Sequence, residues 1–354
     1  MQTLLKLHRW VALVSAAFLI LVSLSGAMLV FEDAIDRGLN PGLWHVTSAS
    51  DVVLPLDTLM SRATAVAGGE KVSSLTIPAT QDRAYVVGAG RGLAIFINPY
   101  SGAVQGTRTA DERNRGLARR VHVFHETLMA GETGGALVGI VSVAALFLSL
   151  GGIILWWPRR IIRVNGKASW KRIVFDLHHV LGICAAIVLV AITASATAIK
   201  YRSVGAMVVK LDHSPPAQRP KESIVIPGAA PISADSAVRV ARAALPGAAI
   251  TNMFLPGGGK DVLLVSMRFP EDRTPGGRSR IFIDQYSGRV LLVQNTRTAE
   301  LGTRLDNLKR SIHTGDLFGK PTEFIWLLAT FVMAEQAMTG FVMWRNRSRG
   351  SRTA

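Results

Sequence analysis

Apolar residues are concentrated in four long runs, and this distribution gives the first prediction of the fold. Each run has roughly the 20 residues that a helix needs to cross the hydrocarbon core of a bilayer. Between the runs, short stretches of apolar residues alternate with polar ones. The four runs are Trp10–Phe31, Ala136–Trp157, Leu177–Ile199 and Glu323–Trp344. The pattern predicts a membrane protein with four transmembrane α-helices.

The two long connections between the runs are predicted to fold as α+β domains. In the first, DTLMSRATAVAGG indicates an amphipathic helix, and KVSSLTI, RAYVVGA and LAIFINP indicate strands. In the second, SADSAVRVARAAL indicates a helix with Ser233 as its N-cap, followed by the strands VLLVSMRF, SRIFIDQ and RVLLVQN. The segments Tyr100-Ser101-Gly102 and Tyr286-Ser287-Gly288 are typical of hairpin turns. One helix packed on an antiparallel sheet is expected in each connection.

Basic residues set the expected orientation. The link PRRIIRVNGKASWKR, the tail RNRSRGSR and the N-terminal Lys6 and Arg9 are predicted to be cytoplasmic, because positive charge is retained there. The first run exceeds the 7–15 apolar residues of a signal peptide and is expected to be kept. The predicted layout is a transmembrane helix at 1–31, a periplasmic domain at 32–135, a second helix at 136–157, a basic cytoplasmic loop at 158–176, a third helix at 177–199, a second periplasmic domain at 200–322, a fourth helix at 323–344 and a cytoplasmic tail at 345–354.

The net charge of +16 fits either nucleic acid or anionic lipid as a partner. The positive charges beside the apolar runs favour membrane lipid, and no nucleic-acid partner is expected. Cys184 is the single cysteine, so no internal disulfide can form, and its apolar surroundings indicate a packing role.

The chain contains an internal duplication. Residues 5–29, LKLHRWVALVSAAFLILVSLSGAML, align with residues 175–199, FDLHHVLGICAAIVLVAITASATAI. AIFINPYSGAVQ aligns with RIFIDQYSGRVL, FHETLMAG with IHTGDLFG, and GIILWWPRR with GFVMWRNR. Both copies enter the membrane in the same direction, which predicts two parallel repeats related by a pseudo-twofold axis along the membrane normal.

The duplication arranges four histidines in two matched pairs. His8 aligns with His178 near the predicted cytoplasmic face, and His125 aligns with His313 near the outer face. Two imidazoles that face each other across a gap can supply both axial ligands of a haem iron. The alternative is that these histidines only lie at the membrane interface or cap helices. The matched pairs favour two haems, one in each leaflet.

Other residues in the chain are candidates for supporting roles at the predicted haem sites. His179 and His122 are neighbours that could replace a predicted ligand, whereas the unmatched His45 and His213 are interpreted as surface residues. Glu335 lies deep in the fourth run. A carboxyl group there is interpreted either as a proton relay or as a protonated residue that only packs. A group of basic residues precedes the outer histidines and would contact haem propionates, an anionic substrate or lipid headgroups. This group comprises Arg119, Arg120, Lys309 and Arg310.

Motifs for other cofactors fail on spacing or context. GAGRGLAIF is followed by a strand-like run instead of a helix, and PGGGKD lacks the P-loop spacing. No flavin or nicotinamide site is predicted, so an electron donor must be external.

The chain resembles the PepSY-associated transmembrane family, also called iron-regulated or PiuB-like membrane proteins. The resemblance covers nearly the whole chain and rests on LHRW at 7–10, HETLMAGETG at 125–134, DLHHVLG at 176–182, HTGDLFGKP at 313–321 and TGFVMW at 339–344. Spans one and three depart from the family by ending in SG and SA where it often has TG. The family is similar to inner-membrane siderophore reductases with two b-type haems and two periplasmic PepSY domains.

The resemblance implies His8, His125, His178 and His313 as haem ligands, and two b-type haems as cofactors. We expect an electron-transfer protein of the bacterial inner membrane, with both termini cytoplasmic, that reduces a ferric siderophore or another ferric chelate outside. Two alternatives stay open: a non-redox module whose external domains bind a partner protein or peptidase, and a small permease for the intact chelate.

Overall fold

The computed structural model describes residues 1–47, 52–158, 160, 162–211, 218 and 220–350. The described residues form two compact units. We call the first the helical unit, which consists of the described residues within 1–32, 117–211 and 308–354. We call the second the sheet unit, which consists of the described residues within 33–116 and 212–307.

The helices and strands are numbered in chain order. The helices are α1 (Gln2–Leu29), α2 (Glu32–Leu39), α3 (Pro41–Trp44), α4 (Leu56–Val66), α5 (Ala110–Arg115), α6 (Leu117–Thr127), α7 (Gly131–Trp156), α8 (Trp170–Lys200), α9 (Arg202–Leu211), α10 (Ala234–Ala244), α11 (Leu301–Thr314) and α12 (Lys320–Gly350). The strands are β1 (Val72–Thr76), β2 (Tyr85–Ala89), β3 (Leu93–Ile97), β4 (Val104–Arg108), β5 (Ala249–Phe254), β6 (Val262–Arg268), β7 (Ser279–Asp284) and β8 (Val290–Gln294). A short 3-10 helix covers Asp316–Phe318.

Four helices of the helical unit, α1, α7, α8 and α12, are long and apolar enough to cross a membrane. They form a bundle in which the neighbours around the ring are α1, α12, α8 and α7. As a result, α1 and α8 face each other across the centre.

The helices extend beyond the apolar runs of the sequence. Helix α8, for example, begins at Trp170, and the Arg172 Nε donates to Asp176 Oδ1 at 2.8 Å within its first turns.

The sheet unit is built on one antiparallel sheet of eight strands in the order β4-β3-β2-β1-β5-β6-β7-β8. The strands and helices that the sequence predicted in each connection are present, and Ser233 accepts from Ser236 N as the predicted N-cap of α10. The two connections share this sheet because β1 pairs with β5, with Leu75 opposite Met253. The sequence pattern did not indicate this joint, because it depends on pairing between segments far apart in the chain.

Helices α4 and α10 cover one face of the sheet. Leu59 and Ala237 are fully buried there against strand residues such as Val87 and Leu263. The two helices also cap each other. Asp57 Oδ1 accepts from Ala234 N at 2.7 Å, while the Asp235 carboxylate accepts from the first two N–H groups of α4 at 2.9 and 3.0 Å. Each carboxylate satisfies helix donors that have no partner within their own helix.

The two predicted hairpin turns are present and share one construction. Asn98 Oδ1 accepts from Tyr100 N at 2.9 Å, and Asp284 Oδ1 accepts from Tyr286 N at 3.0 Å. The glycine that ends each turn has a positive φ, 68° at Gly102 and 71° at Gly288, which a side chain would strain. The turns therefore depend on local residues, as the sequence indicated.

Candidate functional site

His125 and His313 approach each other in the helical unit. His125 lies on α6 and His313 on α11, near the C-terminal end of each helix. Their ring centres are 6.1 Å apart and the ring planes are inclined by 42°. The structure thus brings together two residues that the sequence predicted as a pair, although 188 positions separate them.

The backbone fixes the same tautomer in both rings. His125 Nδ1 lies 3.0 Å from Val22 O on α1, and His313 Nδ1 lies 3.1 Å from Ile192 O on α8. A carbonyl oxygen can only accept, so each Nδ1 carries the proton and donates it. Each Nε2 is then left with its lone pair, which is the form of imidazole that binds a metal.

Electrostatics also favours neutral rings at this pair. Burial and the neighbouring His313 lower the pKa of His125 to about 4. Burial likewise lowers the pKa of His313. Both rings are therefore uncharged at neutral pH, which is the protonation state that a metal-binding imidazole requires.

His8 and His178 form the second pair, on the facing helices α1 and α8. Both rings line one cavity of about 280 Å³ inside the bundle. His178 Nδ1 is 2.8 Å from Thr339 Oγ1 on α12. Thr339 Oγ1 donates its own hydrogen to Glu335 O at 2.8 Å, so it accepts the Nδ1 proton of His178. In the neutral ring, His178 Nε2 then also keeps its lone pair.

The cavity has a basic end and an apolar end. Arg9, next to His8 on α1, and Arg347, near the C-terminal end of α12, both line it. Leu19 and Leu189 line it further along α1 and α8. Leu19 follows His8 by eleven residues, which is about 16 Å along a helix. The cavity is thus long, mostly apolar, and supplied with cations near one end.

Glycines lie against three of the four rings. A Cβ on Gly26 would be 3.1 Å from His125 Cε1, one on Gly151 would be 3.4 Å from His8 Nδ1, and one on Gly340 would be 3.6 Å from His178 Cε1. Glycine at these positions leaves room for a flat ring to approach the helix closely. The structure shows that histidine rings make this approach.

The outer pair has the ring spacing that two axial haem ligands would need, and the inner pair lines a single cavity. Metal–imidazole bonds of about 2.0 Å place the centres of two axial rings roughly 6 Å apart, close to the separation of His125 and His313. A haem iron needs only two protein ligands, because the porphyrin supplies the other four. Among the described residues, no group of three or more His, Cys, Asp or Glu side chains is arranged to bind a metal ion directly.

Comparison with known proteins identifies the family. The family model for the PepSY-associated TM region matches residues 5–347. The chain belongs to the PepSY-associated TM region family. No curated protein matches it. Family membership, together with four apolar helices and an antiparallel sheet, makes this a PepSY-associated membrane protein.

His122 is unsuited as a ligand in this PepSY-associated protein. Its Nδ1 is 3.0 Å from Glu32 Oε2 and its Nε2 is 3.2 Å from Glu126 Oε1. Two carboxylate partners favour the doubly protonated imidazolium, which has no lone pair to offer, and they raise the pKa of His122, with the Glu32 hydrogen bond as the main cause. His125, one helical turn further on, is the ligand candidate.

His179 is the second alternative ligand. Its Nδ1 bonds Phe175 O in its own helix at 2.8 Å, and its ring lies on Phe175 with centres 4.1 Å apart. It lines the same cavity as His178, so it remains next to the inner pair. His45 is exposed, as the sequence indicated. His213 lies outside the described residues.

The predicted basic group differs in exposure among its members. Arg119 and Arg120 on α6 are exposed, as is Arg310, whereas Lys309 is half-buried. All four belong to the same helices as the outer histidines, α6 and α11. Glu335 is half-buried on α12, and its Oε2 accepts from Gln336 Nε2 at 2.8 Å.

Sequence reasoning missed the groups that hold the rings. Thr339 and the carbonyls of Val22 and Ile192 orient three of the four histidines. A backbone carbonyl has no sequence signature. Thr339 lies within TGFVMW, where a threonine in a transmembrane helix has no distinctive pattern.

Proposed function

We propose that this membrane protein binds two b-type haems, an inner one between His8 and His178 and an outer one between His125 and His313. Through them it carries electrons across the bacterial inner membrane to a ferric siderophore or another ferric chelate in the periplasm. Bound haem iron supplies a one-electron couple at each position. The protein is then a ferric-chelate reductase that serves iron acquisition.

The observation that carries this proposal is the matched pair of outer imidazoles. Their ring centres are 6.1 Å apart, and each is held by a backbone carbonyl through Nδ1 so that Nε2 is left unprotonated. Histidines that merely lie at an interface or cap a helix have no reason to share both the tautomer and the type of partner.

The spacing of the two pairs supports an electron path along the bundle. Val22, which holds the outer ring of His125, follows His8 by fourteen residues, or about 21 Å along a helix. Ile192 follows His178 by the same number of residues. The interval on α1 and α8 contains Leu19 and Leu189, which are buried and apolar. Electrons can tunnel through such an apolar layer.

The outer basic residues support an anionic chelate as the electron acceptor. Arg119, Arg120 and Arg310 are exposed near the outer histidines in the chain and would raise the local concentration of an anion. Hard oxygen ligands hold Fe(III) more strongly than Fe(II), because the ferric ion is the harder acid. One-electron reduction would therefore weaken the binding of iron by the chelate and release the metal.

The test uses purified protein reduced chemically and then mixed with Fe(III) chelates in the absence of oxygen. We expect the haem spectrum to return to the oxidised form while a ferrous-specific dye traps one Fe(II) per electron. If the reduced protein keeps its electrons with every chelate tried, the reductase function is wrong even when both haems are present. Protein that is isolated colourless from haem-producing cells would instead favour a partner-binding module.

The role of the basic residues is tested in the same assay. Arg119→Gln with Arg120→Gln should slow reoxidation by anionic chelates more than by neutral ones, and high salt should reduce the difference. A matched control, Arg239→Gln with Arg242→Gln on α10, removes the same charge from the helix that covers the sheet. Equal slowing by both double variants would contradict a local role for Arg119 and Arg120.

A further inference from the structure

The four candidate ligands differ in how their Nδ1 atoms are held. His125 and His313 donate to backbone carbonyls, and His178 donates to Thr339 Oγ1. His8 Nδ1, in contrast, is buried and has no hydrogen-bond partner among the described residues. One ring of the inner pair is therefore anchored and the other is not.

Thr339 is a well-defined anchor for His178. Its hydroxyl accepts from His178 Nδ1 at 2.8 Å and donates to Glu335 O at 2.8 Å, so its hydrogen is committed and its orientation is set. Next to it, Gln336 Nε2 donates to His178 O at 3.0 Å. Helix α12 thus holds both the ring and the backbone of His178.

The position that corresponds to Thr339 on the His8 side is Gly151. In the alignment of the two repeats, GIILWW follows Gly151 as GFVMW follows Thr339. A Cβ built on Gly151 would lie 3.4 Å from His8 Nδ1, so a side chain here would reach the ring. Glycine offers no hydroxyl, and the Nδ1 of His8 bears the cost of an unsatisfied buried donor or acceptor.

We propose that His178 is the fixed ligand of the inner haem and His8 the exchangeable one, with Thr339 as the positioning residue that makes the difference. The inner site would then accept a small neutral ligand, such as carbon monoxide, in place of His8. This inference rests on the proposed di-haem function and specifies which axial ligand is replaced.

The physical reason is that a hydrogen bond at Nδ1 both orients an imidazole and makes it a stronger donor at Nε2. His178 has this support and His8 lacks it. When His8 leaves, its Fe–N bond breaks and an Fe–C bond to carbon monoxide forms, with no change in the oxidation state of the iron. Both outer rings have supported Nδ1 atoms, so the outer site should resist the exchange.

The test measures carbon monoxide binding to the reduced, haem-loaded protein by its visible difference spectrum. We expect about half of the haem to react in the natural protein. Gly151→Ser supplies a hydroxyl to His8 and should weaken carbon monoxide binding. The expected decrease in affinity is roughly three- to tenfold, which corresponds to the free energy of one hydrogen bond. Gly151→Ala is the matched control, which adds the Cβ without the hydroxyl and should leave binding unchanged.

Variants at Thr339 provide the reciprocal measurement. Thr339→Val removes the acceptor, so that neither inner ligand is supported, and should increase the affinity of the inner haem for carbon monoxide, whereas Thr339→Ser should behave as the natural protein. Electron paramagnetic resonance of the oxidised haem should change for Thr339→Val and be restored in Thr339→Ser, which a purely structural role would not produce.

Two results separate failure of this inference from failure of the proposed function. If His8→Ala binds carbon monoxide but the natural protein does not, His8 is not exchangeable, although the haem assignment stands. An unchanged affinity in Gly151→Ser would also overturn the inference. If the purified protein contains no haem, the proposed function itself is wrong.

Discussion

His125 and His313 face each other with ring centres 6.1 Å apart, each held through Nδ1 by a carbonyl at the matching position of a different transmembrane helix. Neither ring can turn its Nδ1 toward the gap without losing this hydrogen bond. The arrangement therefore leaves the Nε2 atom of each neutral ring free of the backbone, as the proposed haem ligation requires.

Removal of either outer ring, or of His178, should empty one haem site and spare the other. His125→Ala or His313→Ala is expected to lower the haem content from two to one per chain, because a single axial imidazole does not hold the outer haem. His178→Ala should remove the inner haem instead. The haem content is measured by the pyridine haemochrome spectrum against protein concentration. His45→Ala, an exposed histidine in the sheet unit, is the matched control and should retain both haems.

Filling the space beside His125 should have the same effect without removing the ligand. A Cβ added at Gly26 would lie only 3.1 Å from His125 Cε1, so the larger side chain of Gly26→Val must displace the ring. We expect the outer haem to be lost and the inner haem to be kept, as judged by haem content and redox titration. Gly38→Val serves as the control, because a Cβ there meets nothing within 4 Å. Retention of both haems in Gly26→Val would show that His125 does not need its present position.

The reciprocal caps of Asp57 and Asp235 should stabilise the sheet unit. Replacing either residue by Ala leaves helix N–H groups without their carboxylate acceptor, at a cost of about 1 kcal/mol. Urea unfolding in detergent should show this decrease in the free energy of unfolding for each single variant. Asp111→Ala, whose carboxylate is exposed on α5, should change it by less than about 0.5 kcal/mol. Equal effects at all three positions would contradict the capping role.

Asp284 should make the sheet unit sensitive to acid. Burial raises the pKa of its carboxyl, but hydrogen bonds from Ser287, Ile224 and Tyr286 outweigh burial and lower the pKa to about 2. The stability from these bonds is complete above the unfolded pKa of about 3.9 and is lost as the pH falls toward 2.

The matched variant for this prediction is Asp284→Asn, which places an amide where the first turn has Asn98. It should be less stable at pH 7, because its NH2 group cannot accept from Ile224 N. Its unfolding free energy should also vary less between pH 4 and pH 2. An identical acid dependence in both proteins would exclude Asp284 as the source.

The basic loop at 158–176 should be cytoplasmic, and the two long connections should be external. A reporter fused at Ser169 is expected to give a cytoplasmic signal, because positive charge is retained in the cytoplasm. Fusions at Arg83 and Asp261 should give external signals. An external signal at Ser169 would reverse the topology and, with it, the assignment of inner and outer haem.

The sequence by itself determined the features that depend on neighbouring residues. Four helices follow from the length of the apolar runs, and the turns at Tyr100 and Tyr286 follow from local side chains and a glycine with positive φ. The histidine pairs could be proposed from the aligned repeats because matched positions in parallel copies lie at the same depth. Ser233 could be identified as an N-cap for the same local reason.

Only the tertiary structure decided which groups meet across long intervals of chain. It joined the two connections through β1 and β5, and it paired Asp57 with Asp235. It also engaged both nitrogens of His122 with carboxylates, and it gave His178 an anchor in Thr339 while His8 faces Gly151. These relationships depend on where a side chain or a carbonyl comes to lie after packing. Local periodicity, charge and propensity do not encode where these groups lie in the folded protein.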